Sequence, residues 1–170
     1  MALNFTFSEA ATLFGRLDGL DREGVAVVTR QMRHYNAKGF LPGVGLRDER
    51  GTIEINGLGL YRARILAILA ATGRDVAFFR ELDTAFDGQS WAAAGLKDAI
   101  VGTAAGEPWS LRMQYRIVAI SGVRSHSVSF VRCDTEIEPS PIDAVSRVLY
   151  EGSILLNAAF KGLPEIHFDA

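Results

Sequence analysis

The stretch of the sequence best suited to chemistry is residues 29–42, which read Thr-Arg-Gln-Met-Arg-His-Tyr-Asn-Ala-Lys-Gly-Phe-Leu-Pro. Its helical part carries several hydrogen-bond donors and one aromatic side chain, namely Arg30, Gln31, Arg33, His34, Tyr35 and Lys38. Gly39 then ends the helix, and Phe40 and Leu41 return to a core. A short helix with several donors, anchored by a few apolar residues, can enter a DNA groove and contact phosphates. We therefore interpret the stretch as a recognition helix.

The side chains on the outer faces of this helix suit the edges of bases. Arginine pairs well with guanine in the major groove and glutamine with adenine. Arg30, Gln31 and His34 are therefore the candidates for reading bases. For His34 a second interpretation stays open, in which it is a surface residue that touches only a phosphate or water.

Two helices form the frame for this stretch. Phe5–Gly15 is predicted to be the first, with Thr6 as its N-cap and Glu9 completing a capping box. Its inward residues recur at helical spacing and are Phe7, Ala10, Ala11 and Phe14. We expect Gly15 to end this helix and residues 16–24 to form a connection. The second helix then runs from Val25 to Lys38, with Val28, Met32 and Tyr35 facing inward.

A hairpin and two further helices follow. Residues 43–57 predict a β-hairpin with Arg47–Gly51 at its tip and Thr52–Ile55 as the return strand. Arg47 and Arg50 are candidates for DNA contacts at the tip, although Asp48 and Glu49 nearly cancel their charge and a solvated tip remains an alternative. A third helix is predicted over 58–72, where Arg62 and Arg64 are either phosphate contacts or surface charges. A short fourth helix covers 75–86.

This order of elements is that of a winged helix–turn–helix, and the motif Met32-Arg33-x-Tyr35-x-x-x-Gly39-Phe40-Leu41-Pro42 resembles the DNA-binding domain of MerR-type regulators. The resemblance covers residues 4–86. It implies that Arg33 and Tyr35 contact phosphates and thereby fix the register on DNA. The spacing alone leaves an alternative open, in which Tyr35 is a core aromatic and Arg33 is a solvated charge. The connection over 16–24 is longer than the tight turn of that family.

The second half of the chain, residues 87–170, predicts a separate small α-β-β-α domain, so that the whole chain is α+β. Residues 91–105 are predicted to be helical. Trp109–Ile117 alternates apolar and polar residues as a strand does, and Val128–Cys133 returns as its antiparallel partner. Ser140 and Pro141 mark the start of a helix that we expect to run to Lys161. This domain has little core of its own, so we expect it to form a dimer interface or to bind another protein.

The composition excludes several classes of protein. The chain has 170 residues, of which 48% are hydrophobic and 22% charged, with a net charge of −2, as in an ordinary globular protein. Residues 25–64 contain seven Arg and Lys against three Asp and Glu, whereas residues 83–170 contain seven against eleven. A single cysteine, Cys133, excludes an intramolecular disulfide and a thiolate zinc site. No signal peptide or membrane-spanning run is evident, so a cytoplasmic location is expected and no membrane partner.

Enzyme chemistry has little support in the sequence. The Gly-x-Gly fragments at 43–45 and 57–59 lack the third glycine of a dinucleotide site. His34, His126 and His167 are far apart, and Cys133 lies on a predicted strand. We expect no catalytic residues, no metal and no cofactor.

The sequence therefore predicts a sequence-specific DNA-binding transcriptional regulator that works as a homodimer on double-stranded DNA, with RNA polymerase as a further candidate partner. Two alternatives stay open. The winged helix–turn–helix can be a protein-interaction adaptor in a transcription, phage or plasmid assembly. Otherwise the second half senses a ligand in a pocket lined by Trp109, Met113, Tyr115 and Phe130, although the same residues also fit a plain hydrophobic core.

Overall fold

The computed structural model of the chain describes residues 4–41, 46–47, 53–71, 76–86, 95–118, 124–133 and 146–166. Helices and antiparallel strands both occur, so the chain has an α+β structure, as predicted. It divides into two units, one of Met1–Asp75 with Phe160–Ala170 and one of Val76–Ala159. The end of the chain thus belongs with the first unit, which a single division along the sequence does not anticipate.

The first unit contains three helices and three short strands among its described residues. In chain order these are β1 (Asn4–Thr6), α1 (Phe7–Asp18), α2 (Arg22–Ala37), β2 (Leu46–Arg47), β3 (Ile53–Asn56) and α3 (Gly57–Ala71). The predicted pairing of β2 with β3 is confirmed, with Leu46 opposite Glu54 and Arg47 opposite Ile53. β1 pairs with the other edge of β3, which gives the strand order β1-β3-β2. β1 was not predicted, because three residues are too few to show alternation.

α1 begins after the predicted cap Thr6, at Phe7 rather than at Phe5, and it ends later than predicted. The capping box is confirmed, since Glu9 N donates to Thr6 Oγ1 at 3.2 Å and Thr6 N donates to Glu9 Oε2 at 2.8 Å. The predicted end at Gly15 is wrong, because the helix continues to Asp18 and ends at Gly19, whose φ is 67°. Gly15 has a different role. A Cβ atom there would lie 2.4 Å from Cγ2 of Val25, so the glycine lets α2 approach α1 closely.

The connection between α1 and α2 is only three residues long. Gly19 N–H and Leu20 N–H both donate to the carbonyl of Gly15 at the end of α1, and Asp21 caps the next helix by accepting from Gly24 N at 2.8 Å. The predicted long connection over 16–24 is therefore wrong. The charged residues of this stretch misled the prediction, because they lie on exposed faces of the two helices rather than in a loop.

α3 is the central helix of the first unit. It is buried on nearly every side, which is typical of a helix that other elements surround. Among its fully buried side chains are Leu60, Ile65, Leu66 and Leu69. Ile68 on the same helix is half-buried.

The second unit has the elements α4 (Val76–Phe86), α5 (Leu96–Ala104), β4 (Trp109–Val118), β5 (Arg124–Arg132) and β6 (Ser146–Leu155), followed by the short helix α6 (Leu156–Phe160). The sheet order is β5-β4-β6, with β4 antiparallel to both neighbours. The predicted β4–β5 pair is confirmed. Its buried face carries Trp109, Leu111, Met113, Val128 and Phe130, and the ring of Phe86 on α4 lies 5.9 Å from that of Phe130.

The predicted helix from Ser140 to Lys161 is wrong over Ser146–Leu155, which forms β6, so the α-β-β-α order is also wrong. Residues 140–145 lie outside the described part of the chain. Apolar residues clustered at 148–150 and 154–156 fit either period, whereas Gly152 and Ser153 weaken a helix. Backbone pairing with the edge of β4 stabilises the strand instead of a helix over these residues. A bulge opposite Tyr115 and Arg116 leaves Leu149 as the extra residue.

The last described residues pack on α3 in the first unit. Tyr61 Oη donates to the carbonyl of Pro164 at 3.0 Å, and its ring makes an edge contact with Phe160 at 4.8 Å between centroids. A Cβ atom on Gly57 would lie 2.3 Å from Cγ2 of Ile166. The end of the chain therefore closes the core around the start of α3.

Candidate nucleic-acid interface

α2 is a helix of 16 residues with local signals at both ends. Asp21 caps its N-terminus, as described above. At its C-terminus Lys38 N donates to the carbonyl of His34 at 3.0 Å, and Phe40 N donates to the carbonyl of Tyr35 at 2.9 Å. Gly39 has a φ of 79°, a conformation that favours glycine, and turns the chain inward. The predicted helix stop at Gly39 is thus confirmed, as is the burial of Phe40 and Leu41.

The outer face of α2 is basic in its second half. Arg30, Arg33, His34 and Lys38 are all exposed. At 3.6 residues per turn these four positions span an arc of about 140° on one side of the helix. Met32 and Tyr35 are the buried residues of α2 and lie on the opposite side. The helix therefore presents three full positive charges and an imidazole on one continuous surface.

Two of the predicted contact residues, Tyr35 and Gln31, are not fully exposed on this surface. Tyr35 is 5% exposed, and burial raises the pKa of its hydroxyl above the usual value. Its ring contacts the ring of His34 edge-on, at 6.1 Å between centroids. Gln31 is half-buried. Tyr35 is thus the core aromatic of the alternative interpretation, and its contact with a phosphate stays a prediction that only the edge of the ring can fulfil.

The two arginines predicted at the hairpin tip are only partly described. Arg47 occupies the last position of β2, opposite Ile53, and the structure describes its backbone alone. Arg50 lies outside the described residues. The hairpin itself follows the exit of α2, so it is in the position along the chain that a wing requires.

Arg62 and Arg64 on α3 are neither phosphate contacts nor surface charges, because they are only 5% and 6% exposed. Arg64 Nη1 and Nη2 donate to the two carboxylate oxygens of Asp18 at 2.5 and 2.6 Å. The hydrogen bonds from this guanidinium hold the pKa of Asp18 below its usual range. Arg62 Nε donates to the carbonyl of Phe40 at 2.8 Å. The neighbours of both arginines along the sequence of α3 are mostly apolar, and this was the signal from which their burial could have been predicted.

A groove of about 510 Å³ lies beside the first half of α2. Its walls are mostly apolar and come from α1, the turn, α2 and α3; they are formed by Phe14, Asp18, Leu20, Gly24, Val27, Val28, Gln31, Ala67, Ile68 and Ala71. Leu20 and Val27 are 39% and 38% exposed at its rim. No pattern in the sequence predicts this groove, because its walls come from separate elements.

Other candidate chemistry is not assembled in the described part of the chain. Nowhere in it do three His, Cys, Asp or Glu side chains meet so that they could hold a metal ion. Cys133 is exposed, and His167 lies outside the described part of the chain. Trp109, Met113 and Phe130 are buried in the sheet core, as the plain-core interpretation has it. No helix within the described ranges is both long and apolar enough to cross a membrane.

No protein-family model, curated protein or solved structure matches this chain.

Proposed function

We propose that the chain is a sequence-specific DNA-binding transcriptional regulator whose first unit is a winged helix–turn–helix similar to that of MerR-type regulators. α2 is the recognition helix in this proposal, and the β2–β3 hairpin is the wing. The three-residue turn between α1 and α2 supports it, since helix–turn–helix motifs join their helices by turns of three or four residues, often with a glycine. The long connection expected from sequence would have argued against it.

The observation that carries the proposal is the exposed basic arc of α2. An α-helix with its side chains is about 10–12 Å wide, and the major groove is about 12 Å wide, so the exposed side of α2 fits there. Arg30, Arg33 and Lys38 supply charge for phosphates. Eight of the sixteen residues of α2 are exposed, which leaves half of the helix open to a partner.

Different residues on this surface have different proposed roles. Arg33 contacts phosphate and sets the register, with the edge of Tyr35 beside it. Arg30 and His34 face the bases, and Gln31 contributes its amide from the margin of the surface. Arg47 and Arg50 extend the contact along the wing. Base contacts carry specificity and phosphate contacts carry affinity, so substitutions in the two groups have distinguishable effects.

The proposed working state is a cytoplasmic homodimer. One small module gives limited affinity, and two linked modules on two half-sites multiply it. The second unit is the proposed source of the dimer contact or of a contact with RNA polymerase.

A selection from a randomised double-stranded DNA library with the full chain tests this function. Enrichment of a two-fold symmetric site supports both specific binding and the dimer. The matched variant Arg30→Ala/Arg33→Ala/Lys38→Ala should enrich nothing while keeping the far-ultraviolet circular dichroism of the parent, because all three side chains are exposed. Absence of any DNA retained by the parent chain at low salt would overturn the proposal.

The groove beside α2 favours a second function, that of a protein-interaction adaptor. Its apolar walls and the exposed Leu20 and Val27 at its rim suit an apolar side chain of a partner protein better than they suit DNA. Under this alternative, Val27→Glu abolishes binding of the partner protein. The Arg30→Ala/Arg33→Ala/Lys38→Ala variant binds the partner as the parent chain does. The DNA-binding function predicts that the arginine variant has the larger effect.

A further inference from the structure

α2 packs closely on α1 near Val25, but few of its side chains are fully buried. Its two buried residues, Met32 and Tyr35, both lie in the second half. Beside the first half, the groove has Val27 and Val28 in one wall and the short side chains of Ala67 and Ala71 in another. Because these alanines reach little beyond the α3 backbone, they give few contacts with which to fix the tilt of α2. Polar contacts from α3 therefore add to the packing of α2 on α1 in setting its orientation.

Arg64 of α3 holds the chain just before α2. Its bidentate hydrogen bonds end on Asp18, the last residue of α1 and three positions before the N-cap Asp21. The guanidinium also lies 5.3 Å from the ring centroid of Phe14. A planar guanidinium that is bonded at two points and packed against a ring has little freedom to rotate. The turn into α2 is thereby fixed to the central helix.

Arg62 of α3 holds the chain just after α2. Its Nε donates to the carbonyl of Phe40, three residues beyond the last residue of the helix, Ala37. Phe40 and Leu41 are buried beside it. Arg62 and Arg64 are two positions apart on one helix, so they point in different directions and reach the two ends of α2 separately.

We propose that Arg62 and Arg64 are positioning residues for α2, which anchor the chain just before and just after it to α3 and so help to set the orientation in which the exposed basic arc meets DNA. The inference deepens the proposed function and rests on it for the DNA measurements. Long side chains can follow a phosphate when the helix moves, whereas hydrogen bonds to base edges have a narrow range of distance. A loosened α2 therefore loses specific binding first.

The test uses the full chain with Arg62→Lys and Arg64→Lys, which keep the charge and remove the planar fork. Arg16→Lys is the matched control, because Arg16 is an exposed arginine on α1. Amide hydrogen exchange is measured for α1, α2 and the second unit. Affinity is measured for the site selected by the parent chain and for an unrelated duplex of equal length.

We expect exchange in α2 to accelerate about tenfold relative to the N-terminal half of α1 in both variants, the change that corresponds to losing one charge-assisted hydrogen bond. The C-terminal end of α1 is not a reference, because Asp18 is itself the partner of Arg64. Affinity for the selected site should fall about tenfold, as when one base contact is lost, while affinity for the unrelated duplex changes by less than about twofold. The Arg16→Lys chain should match the parent in both measurements.

Equal acceleration of exchange along the whole of α1 and in α2 would show a general structural role and overturn the proposal, as would unchanged exchange in α2. If a lysine variant does not fold, Asp18→Asn tests the first anchor, because it alters the half-exposed partner and leaves both arginines in place. A parent chain that binds no DNA, combined with selective acceleration in α2, would refute the proposed function and leave the positioning role intact.

Discussion

Removing the charge of Arg33 should weaken the salt dependence of DNA binding by a calculable amount. The second half of α2 and the lysine that follows it expose three full cations, Arg30, Arg33 and Lys38. Each phosphate contact contributes about −0.9 to the slope of log K against log salt concentration, so Arg33→Ala in a dimer should make the slope less steep by about 1.8. Between 50 and 200 mM salt, the parent should therefore lose about twelvefold more affinity than the variant.

Fluorescence anisotropy with a labelled duplex at four or more salt concentrations measures these slopes. The duplex need not be the specific site, because phosphate contacts do not depend on sequence. Arg16→Ala is the control, since it removes an equal exposed charge from α1 rather than from α2. A slope for Arg33→Ala equal to that of the parent would refute the placement of Arg33 at a phosphate, and an equal change for Arg16→Ala would show only a net-charge effect.

Three further predictions concern stability. The first unit should lose stability in acid as pH falls through the lowered pKa of Asp18, below about pH 4. The folded state binds a proton at Asp18 less readily than the unfolded state, so the stabilisation from the Asp18–Arg64 pair is present at neutral pH. In urea unfolding from pH 7 to pH 3, the free energy of unfolding of Asp18→Asn should therefore fall less than that of the parent. Gly102→Ala should destabilise the second unit by about 1–3 kcal/mol, because the added Cβ would lie 2.0 Å from Nε1 of Trp109. Thermal unfolding followed by tryptophan fluorescence checks this prediction. An unchanged unfolding midpoint would contradict the close packing of Gly102 against Trp109. Thr6→Ala should cost about 1 kcal/mol through the lost cap, whereas Thr12→Ala on the same helix should cost less in the same denaturant titration.

Local signals predicted the C-terminal end of α2 well, whereas its start at Arg22 lies three residues before the predicted Val25. Gly39 supplies a backbone conformation that other residues rarely adopt, and the two apolar residues after it have to be buried. The exposed basic positions also followed from helical period alone, since Met32 and Tyr35 define the buried side and leave the arginines opposite. These features need no knowledge of distant parts of the chain, so the sequence was sufficient.

The strand β6 shows where local reasoning failed. Its residues fit a helix as well as a strand by apolar spacing, and the choice depends on β4, whose edge lies about forty residues earlier in the sequence. The end of α1 failed for a related reason. Gly15 is an ordinary stop signal, but its lack of a Cβ serves the approach of Val25 instead.

The sequence by itself determined two features of the candidate recognition helix, namely where it stops and which charges its second half exposes. Tertiary structure alone decided how that helix is held. Arg64 meets a carboxylate 46 positions away and Arg62 a carbonyl 22 positions away, and the groove beside α2 draws its walls from separate elements. Helical period and capping act within a few residues, whereas the partners of a buried charge are set by which elements pack together.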